Sequence, residues 1–94
     1  MYTKKVVLKN KTGLHARPAS EFVGTAGKFK SEITLKKLDE NGAVLKSCPA
    51  KSIVYLLTMA LSKGTTIELS AEGPDEQQAV DALVDLIDGG FGEL

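Results

Sequence analysis

The apolar positions of this 94-residue chain fall into successive runs, each with one of two spacings. Lys5 to Lys9 is short and rich in β-branched residues, which predicts a first strand. From Ala16 the apolar residues recur as Ala16, Ala19, Phe22, Val23 and Ala26, the spacing of one helical face, so a helix is expected to run to about Lys28. Ser31 to Lys36 alternates, with Ile33 and Leu35 on one face and Glu32, Thr34 and Lys36 on the other. Asn41-Gly42 signals a type I′ hairpin turn, with a return strand at Ala43 to Lys46. Ile53, Leu56, Leu57, Ala60 and Leu61 then trace a second helical stripe, and Gly64 reads as its C′ residue. Thr65 to Ala71 alternates again, Ile67, Leu69 and Ala71 against Thr66, Glu68 and Ser70. Asp75, with Gln78 three residues on, opens a third helix in capping-box fashion. Ala79, Ala82, Leu83, Leu86 and Ile87 repeat the helical spacing, and Gly89-Gly90 ends it.

The order is β-α-β-β-α-β-α. Each strand has one half-apolar face and each helix one apolar stripe. This predicts an α+β open-faced β-sandwich, a four-stranded antiparallel sheet covered on one side by three helices. Without repeat, low-complexity tract or linker, residues 1–94 are expected to form one domain.

Composition narrows the function classes. Twelve basic and twelve acidic residues cancel, which gives no ground for nucleic acid or an anionic membrane as partner. Met1-Tyr2-Thr3-Lys4-Lys5 is followed only by Val6, Val7 and Leu8, too short an apolar run for a signal peptide or a membrane span; a cytoplasmic, monomeric protein is expected. The single cysteine, Cys48, excludes an internal disulfide, and with one histidine it makes a poor zinc set. No metal and no cofactor are expected, and no nucleophile triad or phosphate-binding glycine loop appears.

The chemistry concentrates in Gly13-Leu14-His15-Ala16-Arg17-Pro18-Ala19-Ser20. Pro18 falls in the first helical turn, where its missing N–H costs nothing, so His15 stands at or just before the N-cap. A lone histidine there ordinarily caps the helix or sits in solvent. Here the amides of Ala16 and Arg17, the positive helix end and the Arg17 guanidinium surround it, a setting for an anion. A phosphoryl group on the imidazole would be held by those amides and by Arg17 through charge-assisted hydrogen bonds. The phosphoramidate bond is labile, which suits a carrier. A small enzyme using His15 as a general base would need a partner residue and a pocket that nothing in the sequence supplies.

Within this octamer, Gly13-Leu14-His15-Ala16-Arg17-Pro18-Ala19 resembles the active-site signature of the HPr family, the histidine-containing phosphocarriers of the bacterial phosphotransferase system. The likeness extends over most of the chain: Lys51-Ser52-Ile53 resembles the family's regulatory serine region, Lys63-Gly64 the end of its second helix, and Gly90-Phe91-Gly92-Glu93 its C-terminus. The resemblance implies that enzyme I, charged by phosphoenolpyruvate, phosphorylates His15 on a ring nitrogen, and that His15 passes the group to a sugar-specific enzyme IIA. His15 would be nucleophile and carrier, with Arg17 stabilising the phosphoryl oxygens and the Ala16 and Arg17 amides holding the phosphate. Ile53, Tyr55 and Leu56 are expected to form an exposed apolar docking rim.

Ser52 precedes the second helix, where a serine is an ordinary N-cap worth ~1 kcal/mol. In the family a serine at this place is phosphorylated by an ATP-dependent kinase in many Gram-positive bacteria. HPr kinase/phosphorylase and a catabolite control transcription factor are therefore further expected partners. A purely regulatory protein acting through phospho-Ser52, without sugar transport, is the alternative; the regulatory paralogue of some bacilli lacks the histidine that this chain has. The chain departs from the family at Ser47-Cys48-Pro49-Ala50, which reads as an inserted loop with Lys46-Ser47 as a competing Lys-Ser pair, and at the bulky Tyr55. Cys48 is expected exposed and oxidisable in that loop, Lys36-Lys37 and Asp39-Glu40 solvated, and Gly89-Gly90-Phe91-Gly92 a mobile tail with Phe91 docked on the domain.

Overall fold

Alternation along each strand determines which side of the sheet is covered. The computed structural model describes residues 1–93, in the order β1 (Tyr2–Val7), α1 (Ala16–Ala26), β2 (Glu32–Leu38), β3 (Val44–Pro49), α2 (Ile53–Leu57), β4 (Thr66–Glu72), α3 (Glu76–Asp88) and a 3-10 turn at Gly90–Gly92. The sheet runs β1-β4-β2-β3, every pair antiparallel. Ile33 stands opposite Ala71 and Leu35 opposite Leu69, so the apolar residues of the two central strands share one face. On that face they form one core with Phe22 of α1, Leu56 of α2, and Leu83 and Ile87 of α3. Each such side chain withdrawn from water contributes about 1.5–3 kcal/mol. The opposite face is polar: Lys5, Glu68 and Lys36 lie side by side across three strands, and the Thr3 hydroxyl donates to Ser70 Oγ at 3.1 Å. The expected α+β open-faced sandwich is the observed architecture.

Several boundaries fall elsewhere than the spacing implies. The β2–β3 connection is not a type I′ turn, because only Gly42 has positive φ (85°) and Asn41 does not. Asp39 builds it instead: its carboxylate accepts from the Asn41 and Ala43 amides at 2.9 and 2.8 Å, and its carbonyl from Gly42 at 3.0 Å. Ser47-Cys48-Pro49 is no looped insertion but the second half of β3, with Cys48 opposite Leu35 and Pro49 opposite Thr34. Cys48 is accordingly buried, and burial raises its thiol pKa, which removes the expected exposed, oxidisable thiol. Ser47 is an exposed strand residue opposite Lys36 rather than a helix cap.

The second helix stops at Leu57, well before Gly64, because Ala60 turns into the left-handed region at φ 54°. Lys37, expected in solvent, folds over this end, and its ammonium donates to the Met59 and Ala60 carbonyls at 3.1 and 3.2 Å. Asp75 precedes α3 but makes no capping hydrogen bond. Its carboxylate accepts instead from the Lys30 amide, the Ser31 amide and the Ser31 hydroxyl at 2.9, 2.9 and 2.6 Å, pinning the start of β2. The final glycine-rich run is a 3-10 turn with Phe91 buried, so Phe91 docks as expected while the run around it is structured rather than loose.

Candidate functional site at the mouth of the first helix

The segment from Asn10 to Leu14 delivers His15 to the helix. Gly13 lies at φ 65°, and a Cβ there would stand 2.1 Å from the Leu61 carbonyl oxygen, so only glycine fits this close approach. Leu14, fully buried, anchors the turn, and its amide donates to that same Leu61 carbonyl at 2.8 Å. The buried Asn10 donates through Nδ2 to the Gly13 carbonyl at 2.8 Å. His15 is therefore held from its N-terminal side.

His15 is the N-cap residue of α1, with extended backbone (φ −129°, ψ 160°), and its ring makes no capping hydrogen bond. Capping the helix is thus not what its side chain does. It is half-buried, followed by the exposed Ala16 and Arg17 and the buried Pro18. The first amides of a helix have no intrahelical acceptor, so those of Ala16 and Arg17 are donors available to an anion. Ala16 has φ 50°, a left-handed conformation that costs an L-residue about 1–2 kcal/mol.

Arg17 is at the same helix end, yet its guanidinium is occupied. One nitrogen pairs with Glu21 one turn along, and the other donates to the Phe91 carbonyl at 2.9 Å. The Arg17–Glu21 pair is legible as an i,i+4 spacing. The role of the chain's end is not: Glu93 accepts from Asn10, Thr12 and the Thr12 amide, from the far end of the sequence. Its carboxyl is held below the usual range first by the Asn10 amide, then by the Thr12 donors and the nearby Arg17 charge.

Ser52 is the N-cap of α2, and its hydroxyl accepts from the Tyr55 amide at 3.5 Å, a long cap bond. Ile53 and Tyr55 are exposed, as expected of a docking rim. Leu56 is not: it points inward and is 0% exposed, so it belongs to the core. Val54 (70% exposed) and Leu57 (45%) take its place in the apolar patch, because five consecutive apolar residues on a short helix cannot all face inward. No helix among the described residues is long and apolar enough to cross a membrane, and they hold no cluster of metal-ligating side chains.

Comparison with known proteins supplies the family. The PTS-HPr family model, described as the PTS HPr component phosphorylation site, matches residues 2–89. The chain is 45% identical over 95 residues to the phosphocarrier protein HPr of Neisseria meningitidis serogroup A, covering 99% of this chain and 98% of that one. It is 47% identical over 88 residues to the HPr-like protein Crh of Halalkalibacterium halodurans, covering 94% and 98%. The crystal structure of HPr from Thermoanaerobacter tengcongensis superposes with a TM-score of 0.89 at 48% identity, covering 100% and 99%.

Proposed function

The chain belongs to the HPr family, the phosphocarriers of the phosphotransferase system, and from that membership we propose that His15 accepts a phosphoryl group from phosphoenolpyruvate-charged enzyme I and hands it to a sugar-specific enzyme IIA. One observation carries the assignment to His15: the ring stands at the N-cap of α1 without capping it, beside first-turn amides that have no helical acceptor. A ring nitrogen of His15 attacks phosphorus. The bond from phosphorus to the donor atom of enzyme I breaks with its electron pair leaving on that atom, and the imidazole loses its surplus proton to water. The Ala16 and Arg17 amides then face the phosphoryl oxygens.

Arg17 joins them by exchanging partners. Its present acceptors are a carboxylate with a single charge and a neutral carbonyl. A phosphoryl group with nearly two charges is the stronger competitor for a guanidinium. Partners dock on the apolar side chains of Ile53, Val54, Tyr55 and Leu57, and a kinase-added phosphate on Ser52 sits at the edge of that patch. The likeness to Crh favours a second reading, a purely regulatory protein that works through phospho-Ser52 and a transcription factor. The presence of His15 in its uncapped place favours the carrier.

Intact-mass measurement after incubation with enzyme I and phosphoenolpyruvate tests this. One phosphoryl group is expected on the wild type, acid-labile and alkali-stable, and none on His15→Ala. Equal incorporation in both proteins refutes the assignment.

A further inference from the structure

The end of the chain returns to the segment that carries His15, and the link is polar. The Glu93 carboxylate accepts from Asn10 Nδ2 at 3.0 Å and from the Thr12 amide at 3.4 Å. The Thr12 hydroxyl lies 3.0 Å from one Glu93 oxygen and 3.1 Å from the other. The tail is itself fixed, since Phe91 is only 4% exposed and its carbonyl accepts from Arg17.

Asn10 is the intermediary. It is fully buried, and Nδ2 faces three acceptors: Glu93, the Gly13 carbonyl and the Thr12 hydroxyl oxygen. Its other amide atom, Oδ1, is buried with no partner among the described residues. An orphaned buried oxygen is costly, so something must oppose a turn of the amide. Turning it would aim Oδ1 at a carboxylate and a carbonyl, two acceptors with no proton between them. Glu93 thus joins the Gly13 carbonyl in setting which way Asn10 points, and Asn10 holds Gly13, two residues before His15.

We propose that Glu93 is a positioning residue for phosphoryl transfer at His15: acting through Asn10 and Thr12, its carboxylate locks the Asn10–Gly13 turn that fixes where the imidazole stands. The proposal rests on His15 being the phosphoryl acceptor. Glu93 touches neither the ring nor the phosphoryl group; it removes freedom from the segment that presents them.

Glu93→Ala deletes the acceptor, Glu93→Gln keeps an oxygen that accepts from Asn10 and Thr12, and Thr12→Val deletes the hydroxyl among the loop-side donors. Misplacing a reacting group by ~1 Å costs up to ~10²-fold, so partial loosening predicts kcat for phosphorylation by enzyme I about 10-fold lower in Glu93→Ala with KM unchanged. Glu93→Gln is expected within about 3-fold of wild type, and Thr12→Val combined with Glu93→Ala no slower than Glu93→Ala alone. Hydrogen exchange of the Leu14 amide reads the turn without any phosphoryl chemistry: about 10-fold faster in Glu93→Ala and unchanged in Glu93→Gln. Unchanged exchange in Glu93→Ala overturns the clamp. Faster exchange with wild-type kcat overturns its part in transfer, and a Glu93→Gln as slow as Glu93→Ala makes charge, not position, the agent. If wild type takes up no phosphoryl group, the carrier reading fails and the positioning role with it, while the exchange data still judge the clamp.

Discussion

Replacing Gly13 with alanine tests whether the approach of the His15 segment to the backbone at Leu61 and Ser62 is as tight as the structure has it. Two costs stack at this position. At φ 65° an alanine carries the left-handed penalty of about 1–2 kcal/mol. Its Cβ would also meet the Leu61 carbonyl oxygen at 2.1 Å and the Ser62 Cα at 2.8 Å, both backbone atoms that no rotamer change can move aside. The segments must separate, and the hydrogen bond from the Leu14 amide to that carbonyl, now 2.8 Å, is stretched or lost. An unsatisfied buried backbone pair costs a further ~1–3 kcal/mol, so the total is about 2–5 kcal/mol. Gly42 supplies the control: φ is 85°, but nothing lies within 4 Å of an added Cβ, so Gly42→Ala carries the left-handed penalty alone. Urea denaturation separates the two. At a slope of about 2 kcal/mol/M, Gly13→Ala should lower the midpoint by roughly 1–2.5 M and Gly42→Ala by roughly 0.5–1 M. Midpoints that fall equally in the two variants would refute the close approach, leaving both positions as ordinary left-handed glycines.

Three further outcomes follow from the same contacts. Arg17→Gly should slow phosphoryl transfer by an amount equivalent to ~2–4 kcal/mol while changing stability by far less, since exposed first-turn residues pack little; wild-type transfer rates by stopped assay would dismiss the anion clamp. Ser52→Asp should remain folded by circular dichroism yet slow His15 phosphorylation, because a charge beside exposed Val54 and Tyr55 opposes burial of that patch; unchanged kinetics would leave Ser52 a simple cap. Asp75 is held below the ordinary carboxylate range first by the Ser31 hydroxyl and then by the Lys30 and Ser31 amides. Its stabilisation is therefore present above pH ~4 and lost as acid protonates it, so denaturation between pH ~5 and 2 should show a shallower acid decline in Asp75→Asn. An acid limb identical to wild type would contradict the Asp75 contacts.

What could be read from the sequence was what depends on near neighbours. Two-residue alternation in β2 and β4 and the stripe of α1 anticipated the core, because burial on one face imposes those periods directly. The placement of His15 ahead of Pro18 followed from proline's tolerance of the first turn. Misreadings came where long-range partners overrode local preference. Ser47-Cys48-Pro49-Ala50 read as an inserted loop, but β3 is an edge strand, where proline's missing donor is tolerated, so pairing with β2 ran on through Cys48 and Pro49. The apolar period from Ile53 continued to Leu61, yet a left-handed Ala60, with Lys37 over the Met59 and Ala60 carbonyls, ended α2 early. Asp75 looked like a cap and instead serves β2, forty-four residues earlier in the chain. Small flexible residues at 89–92 hid the fact that Phe91 and Glu93 have partners more than seventy residues away.

An open sheet of four strands has two outer strands with unused backbone groups, and such edges recruit other chains by strand addition. Both edges of this molecule discourage that. On β1, the exposed Lys5 places a cation on the open face of the strand, while Lys4 on the other face is paired with Asp81 at 2.8 Å, so a second copy aligned there would bring the Lys5 charges together and meet an occupied Lys4. On β3, Lys46 lies mid-strand, Pro49 offers no N–H, and the register slips between Lys37 and Leu38, bending the hairpin away from a flat template. The exposed Val44 and Leu45 are thereby kept from becoming the seed of a growing ribbon. At both flanks these features oppose backbone pairing with another strand, which leaves the exposed side chains of the molecule rather than its edges as contact surface.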